Sequence, residues 1–217
     1  MRLFFAFSFF VILFHLSSHA QLVDSIAEAL KHKPKISFRF DNRYSFTATT
    51  PSKIIAFKIG FEFADKFKIG GGYNRLRSRI TKPVYIDNGS ITIDTVISTL
   101  KMGYISYYAE YVFFKNKRWE FSIPIQIGIG NTHYEYNYGG FRFKNNWSVI
   151  INYEASVTGQ YKIIKWLGIG AGIGYQLMLK DNPHIDENFN TPIYVIKLKV
   201  FIGDIYKSIF PAKTKST

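Results

Sequence analysis

The chain has 217 residues, 28 Lys and Arg against 15 Asp and Glu, 47% hydrophobic residues and no cysteine. The missing cysteine excludes a disulfide-stapled module, a Cys-based zinc site, a thiol enzyme and a lipid-modified lipoprotein. The hydrophobic content is too high for a disordered chain. A net charge of +13 combined with 21 Phe and 15 Tyr would, taken alone, suit a nucleic-acid binder.

The N-terminus argues otherwise. Met1 and Arg2 form a positive start, Leu3 to Leu16 is apolar apart from Ser8 and His15, and Ser18-His19-Ala20 is a small-x-small pattern before Gln21. Residues 1–20 therefore read as a cleavable secretory signal, with an uncleaved anchor as the alternative because Leu3 to Val23 carries no formal charge. An exported chain does not meet the genome, so no nucleic-acid partner is expected. Residues 21–34 follow as a leader helix: Leu22, Val23, Ile26, Ala27 and Leu30 recur at helical spacing, acids come early and Lys late, and Pro34 stops the run.

From Lys35 the period changes to two. Ile36, Phe38, Phe40 and Tyr44 alternate with Ser37, Arg39, Asp41 and Arg43, and Ile55 to Phe63 alternates with Lys58, Gly60 and Glu62. The pattern recurs at Phe67–Tyr73, Ile105–Phe113, Trp119–Ile129, Val149–Val157, Leu167–Leu179 and Tyr194–Ile202, which makes eight strands. Neither 14-residue uncharged stretch, Phe121–Tyr134 or Trp166–Leu179, is long enough for a spanning helix. Short connections are expected at Ala64–Lys66, Lys115–Arg118 and Lys162–Lys165. Long polar ones are expected at Arg77–Thr99, Asn131–Trp147 and Asp181–Pro192, and Thr47–Ser52 is intermediate. Short and long loops then emerge at opposite ends of an up-and-down barrel.

Volume decides which face looks inward. The interior of an eight-stranded barrel is just filled by side chains, and roughly forty large apolar residues cannot enter it, whereas the glycines, serines and few charges of the other face can. The apolar face must then look outward into lipid, and closure leaves no unpaired strand edge there. Aromatic residues gather at both strand ends, with Phe63, Phe67, Tyr111, Trp119, Tyr161 and Trp166 at the short-turn end and Tyr44, Tyr73, Tyr175 and Tyr194 at the other, as interfacial girdles require. The expected fold class is thus all-β, an eight-stranded antiparallel up-and-down transmembrane β-barrel over residues 35–203 with a short N-terminal helix and a C-terminal tail over 204–217. A soluble barrel is the rival.

The signal, the dyad alternation, the run Leu167-Gly168-Ile169-Gly170-Ala171-Gly172-Ile173-Gly174-Tyr175 and the amphipathic last strand Tyr194–Phe201 together resemble the small outer-membrane β-barrels of Gram-negative bacteria, the OmpA/OmpX-like or porin-family group. The resemblance implies an outer-membrane location, assembly by the barrel assembly machinery and a monomeric chain. It brings no catalytic or binding motif. Such barrels often end on an aromatic residue as an assembly signal, whereas here Asp204–Thr217 follows, so either Phe201 serves that role or Ile205–Phe210 prolongs the fold.

The lumen-facing parity collects Arg39, Arg43, Lys58, Lys68, Lys180, Lys197 and Lys199 with Asp41, Glu62, Glu110, Glu120 and Glu154. Unpaired buried charge is costly, so these predict an ion-pair network that packs the barrel shut, with a narrow anion-preferring pore as the alternative. Arg75, Arg77 and Arg79 continue the lipid-facing parity beyond Tyr73, where Arg suits bidentate contact with lipopolysaccharide phosphates; a solvated hairpin is the plainer reading. No catalytic residue, cofactor or metal site is expected. His133 with Glu135 and Ser148 is an arithmetical trio that no spacing selects, and the glycine run lacks a dinucleotide fingerprint. The expected role is structural or interactive: membrane integrity, adhesion or ligand contact through the long loops. A narrow transporter ranks second and a lipid-modifying enzyme third.

Overall fold

The computed structural model describes residues 21–45, 52–87, 92–164 and 166–200. The expected signal peptide, Phe201 and the tail from 204 lie outside these residues. Residues 21–30 are helical, and the last turn carries a Lys31–Glu28 ion pair of 2.7 Å before Pro34. Nine strands follow: β1 (Lys35–Ser45), β2 (Ser52–Phe63), β3 (Phe67–Leu76), β4 (Thr81–Asp87), β5 (Thr92–Lys115), β6 (Trp119–Tyr138), β7 (Phe141–Ile164), β8 (Leu167–Lys180) and β9 (Thr191–Val200).

Eight of them close into an antiparallel ring, β1-β2-β3-β5-β6-β7-β8-β9, with β9 returning to β1. The closing registers are regular. Phe38 to Ser45 pairs with Val200 to Ile193, and Phe67 to Arg75 pairs with Tyr111 to Gly103. Short inner turns link consecutive strands; at Ala64-Asp65 both residues take positive φ, the geometry of a tight hairpin turn, and Lys66 N–H donates to the Phe63 carbonyl at 2.9 Å.

The wall is apolar outside and polar inside. On β6, Ile127 is 49% exposed whereas its neighbour Gln126 is 4% exposed. Phe57, Ile59 and Phe61 of β2, Ile123 and Ile125 of β6, and Ile196 and Leu198 of β9 all face outward, while Arg39, Lys58, Glu110 and Lys197 are buried within. A continuous apolar band of this extent far exceeds the few hundred Å² that a water-soluble monomer exposes. In hydrocarbon it is the natural surface, because ring closure satisfies the backbone groups of every wall strand. Aromatic side chains border the band: Trp119 packs edge-on against Tyr161 at 5.0 Å near the inner turns, and Tyr44 stacks on Tyr194 at 4.8 Å near the opposite end.

Two of the expected long loops are largely strand. Within 77–99, β4 pairs with the outer half of β5, Thr81 to Asp87 against Thr99 to Thr92, as a ninth strand outside the ring. Across 131–147, β6 and β7 continue as a hairpin to a turn at Gly139 and Gly140, both with positive φ. Only 181–190 crosses without a strand. It folds inward: Phe189 is buried among Ile54, Leu76, Ile80, Leu100, Met102, Tyr104, Tyr134 and Ile150, with Ile185 beside them. Asn182 ties the segment down by donating to Thr132 Oγ1 at 2.9 Å and to the Asn146 carbonyl at 2.8 Å, and Lys82 pairs with Asp186 at 2.7 Å. An apolar plug thus covers the outer end of the barrel.

Candidate functional site

The inward parity of each strand delivers charge to the lumen, and the registers set opposite charges side by side. Asp41 lies across from Lys197, Glu62 across from Lys68, and Lys68 across from Glu110. Cross-strand pairs of this kind stabilise the sheet as well as neutralising the interior.

The pairs join into three tiers. At the inner end Glu62 meets Lys199 at 2.7 Å and Lys115 at 3.0 Å, and Glu120 meets Lys115 at 3.1 Å and also holds Lys68. In the middle, Glu110 binds Arg39, accepts from Lys68 at 3.2 Å and from Ser122 Oγ at 2.8 Å, and lies 3.9 Å from Lys197. Asp41 sits 3.0 Å from Arg39 and 2.9 Å from Lys58, whose ammonium also donates to Gln126 at 2.5 Å. In the outer tier Arg43 pairs with Glu154 at 2.6 Å and donates to Asn74, and Gln126 donates to Glu154 at 2.9 Å.

Two tyrosines complete the filling. The Arg39 guanidinium lies 4.7 Å and the Lys58 ammonium 5.5 Å from the Tyr108 ring, and the Arg43 guanidinium lies 5.9 Å from Tyr104. Glycine makes room for these rings: a Cβ on Gly70 would stand 2.6 Å from the Cα of Gly60 and 2.9 Å from Tyr108 Cε1. In β8, Gly168 and Gly170 lie against Gln160.

Lys180 does not join this network. The β7–β8 register slips between Ile151 and Asn152, leaving Leu179 as an extra residue, and Lys180 beyond it is exposed. Lys115, which the sequence pattern puts in a short turn, instead reaches back to Glu62 and Glu120. Tyr104, Tyr108, Asn74 and Gln126 also fall on the inward parity, which is the signal that would have found them.

At the outer rim, Arg75 ends the β3–β5 ladder opposite Gly103, and Arg77 and Arg79 follow the strand end at Leu76. All three are exposed, alternating with buried Asn74, Leu76 and Ile80. His133, Glu135 and Ser148 lie at the same level on β6 and β7, but the Ser148 hydroxyl donates to the Val149 carbonyl at 3.4 Å and His133 Nδ1 has no hydrogen-bond partner among the described residues. Partial burial, helped by the charges of Lys144 and Lys101 and opposed by Glu135, lowers the proton affinity of His133. Among the described residues no group of three His, Asp or Glu gathers to hold a metal ion, and no helix is long and apolar enough to cross a membrane.

No protein-family model matches the chain, and no curated protein does. Solved structures similar to it include Neisserial surface protein A, at 12% identity over 76% of this chain and 95% of the other with a TM-score of 0.49. Ail, the attachment invasion locus protein of Yersinia pestis, matches at 12% identity over 76% and 94% with a TM-score of 0.41. The N-terminal β-barrel domain of Pseudomonas aeruginosa OprF matches at 12% identity over 77% and 98% with a TM-score of 0.40. These neighbours are small outer-membrane barrels of OmpA/OmpX-like type, and the likeness is one of fold.

Proposed function

We propose that the protein is an integral outer-membrane barrel of structural or interactive type, which acts through its outer surface and conducts nothing through its lumen. The observation that carries this reading is the double closure of the interior. Buried ion pairs fill the middle and inner tiers, and the apolar cluster around Phe189 covers the outer end. A solute pathway would have to break charge pairs whose separation in a low-dielectric interior is expensive. The parts free to meet a partner are those projecting above the band: the β4–β5 and β6–β7 hairpins and the Arg75, Arg77 and Arg79 edge, which faces anionic headgroups such as those of lipopolysaccharide. Membrane integrity, adhesion or ligand contact are roles such a surface can fill, and none needs a catalytic group.

The test is electrical. The purified protein inserted in a planar bilayer is expected to give no discrete conductance steps, and reproducible steps would overturn the reading in favour of a narrow pore. Cell fractionation with heat-modifiable gel migration tests the location, with recovery of the folded form in the outer-membrane fraction expected.

A further inference from the structure

Outside the lumen, the described cations are not all neutralised. Where the aliphatic band ends, β3, β5, β6 and β7 enclose a groove of about 640 Å³ on the outer face of the wall. Its lower margin is Tyr73, Ile105 and Ile129, all exposed on the lipid-facing parity. Its upper margin carries Arg75, Lys101, Arg142 and Lys144, with Glu135 as the one carboxylate. The registers explain the gathering: Arg75 is level with Gly103, Gly103 with Asn131, Lys101 with His133, and Glu135 with Lys144. Gly103 forms the floor. The Tyr73 ring lies across it, so a Cβ there would come within 2.9 Å of the tyrosine hydroxyl.

Charge distinguishes this groove from the lumen. Arg142 Nε stands 3.8 Å from Glu135, and Arg75, Lys101 and Lys144 form no ion pair among the described residues. Three more cations than carboxylates therefore converge on a site whose other margin is greasy. A free inorganic anion has no use for the apolar margin, and an acyl chain has none for the cations. An amphiphile bearing phosphate uses both. Its position, at the boundary where the apolar band meets the cationic rim, is also where the headgroups of the surrounding leaflet lie.

We propose that this groove binds the phosphate-bearing headgroup of an outer-leaflet glycolipid of the lipopolysaccharide type, with its acyl chains descending over Ile105 and Ile129. Arg75 supplies the planar two-donor fork that suits a phosphate, and Lys101 and Lys144 supply point charges. The proposal rests on the outer-membrane reading above.

The protein purified from membranes in zwitterionic detergent can be titrated with bis-phosphorylated lipid A, its dephosphorylated form and inorganic phosphate, with bound species counted by native mass spectrometry. The K101Q/K144Q variant should bind the phosphorylated lipid about tenfold more weakly or worse. The K66Q/K117Q variant, which removes equal charge from the inner turns, should bind it like the parent, and single Lys144→Gln serves if the double variant folds poorly. Gly103→Ala keeps every cation but crowds Tyr73, and should also weaken binding. Equal affinity for the dephosphorylated lipid, equal affinity for inorganic phosphate, or equal loss in K66Q/K117Q would overturn the proposal. Heat-modifiable migration of each variant separates the two levels: if it persists while lipid binding is absent, the groove assignment alone fails, and if the parent needs no detergent, the membrane reading fails with it.

Discussion

Replacing Glu110 by Gln keeps the shape of the lumen and removes one charge from its centre. The parent carboxylate binds Arg39, accepts from Ser122 at 2.8 Å and Lys68 at 3.2 Å, and faces Lys197 at 3.9 Å. Removing one member of a buried pair costs about 3–5 kcal/mol, because the remaining charge stays desolvated without compensation. Here two neighbours soften the loss: Asp41 still stands 3.0 Å from Arg39, and Glu120 still holds Lys68. Lys197 keeps its hydrogen bond to Thr158 at 3.0 Å and the Asp41 carboxylate across the β1–β9 ladder. The expected loss is therefore at the lower end, about 3 kcal/mol. Lys35→Gln is the comparison, since its 3.2 Å pair with Asp65 is largely exposed and worth under about 1 kcal/mol. Urea unfolding in phosphocholine vesicles, followed by fluorescence of Trp119, Trp147 and Trp166, measures both. With a urea slope of about 1–3 kcal/mol per molar, Glu110→Gln should lower the midpoint by roughly 1–3 M. A midpoint shift no larger than that of Lys35→Gln would refute the argument that the lumen is held by charge pairs.

Two further changes test the packing. Gly70→Val drives a side chain into the Gly60 backbone and the Tyr108 ring, costing about 1–3 kcal/mol and lowering the yield of heat-modifiable barrel, whereas outward-facing Gly71→Ala meets nothing nearer than 3.4 Å and should fold normally. Phe189→Ala empties the outer plug, at a cost of about 3 kcal/mol, and should make 181–190 the first site cut when the protein in vesicles is treated with a protease; unchanged resistance would mean that Phe189 does not hold that segment.

The division of the wall into two faces was legible because a strand has period two, and a membrane barrel turns that period into lipid against lumen without exception over Ile123 to Ile129. The same parity placed eleven of the twelve expected lumen charges inside. It misplaced Lys180, because a bulge at Leu179 adds one residue and parity cannot count residues that leave the ladder. The strands beyond the membrane were harder to see. Tyr134, Tyr136 and Tyr138 do alternate with Glu135 and Asn137, and Phe141 and Phe143 with Arg142 and Lys144, but these short rows lack the aliphatic residues of the wall, so β4 and the outer parts of β5, β6 and β7 read as loop. Gly139-Gly140, a two-residue hairpin signature between alternating segments, carried the information for β6 and β7. The groove at Gly103 could not be read at all, since it depends on which residues of four strands come level, and register is not written in any one strand.

The apolar face of the wall meets lipid while the adjacent parity is sealed within, and site-directed spin labelling tests this directly. The chain has no cysteine, so one nitroxide can be attached at a chosen position in an otherwise native background. Ile127→Cys and Lys117→Cys, each labelled and reconstituted in vesicles, compare the middle of the exposed aliphatic row of β6 with the inner turn. The label at 127 should be relaxed strongly by dissolved oxygen and hardly at all by a water-soluble nickel chelate, with the reverse at 117. Strong relaxation of the label at 127 by the nickel chelate would place that face in water and rule out a lipid-facing wall.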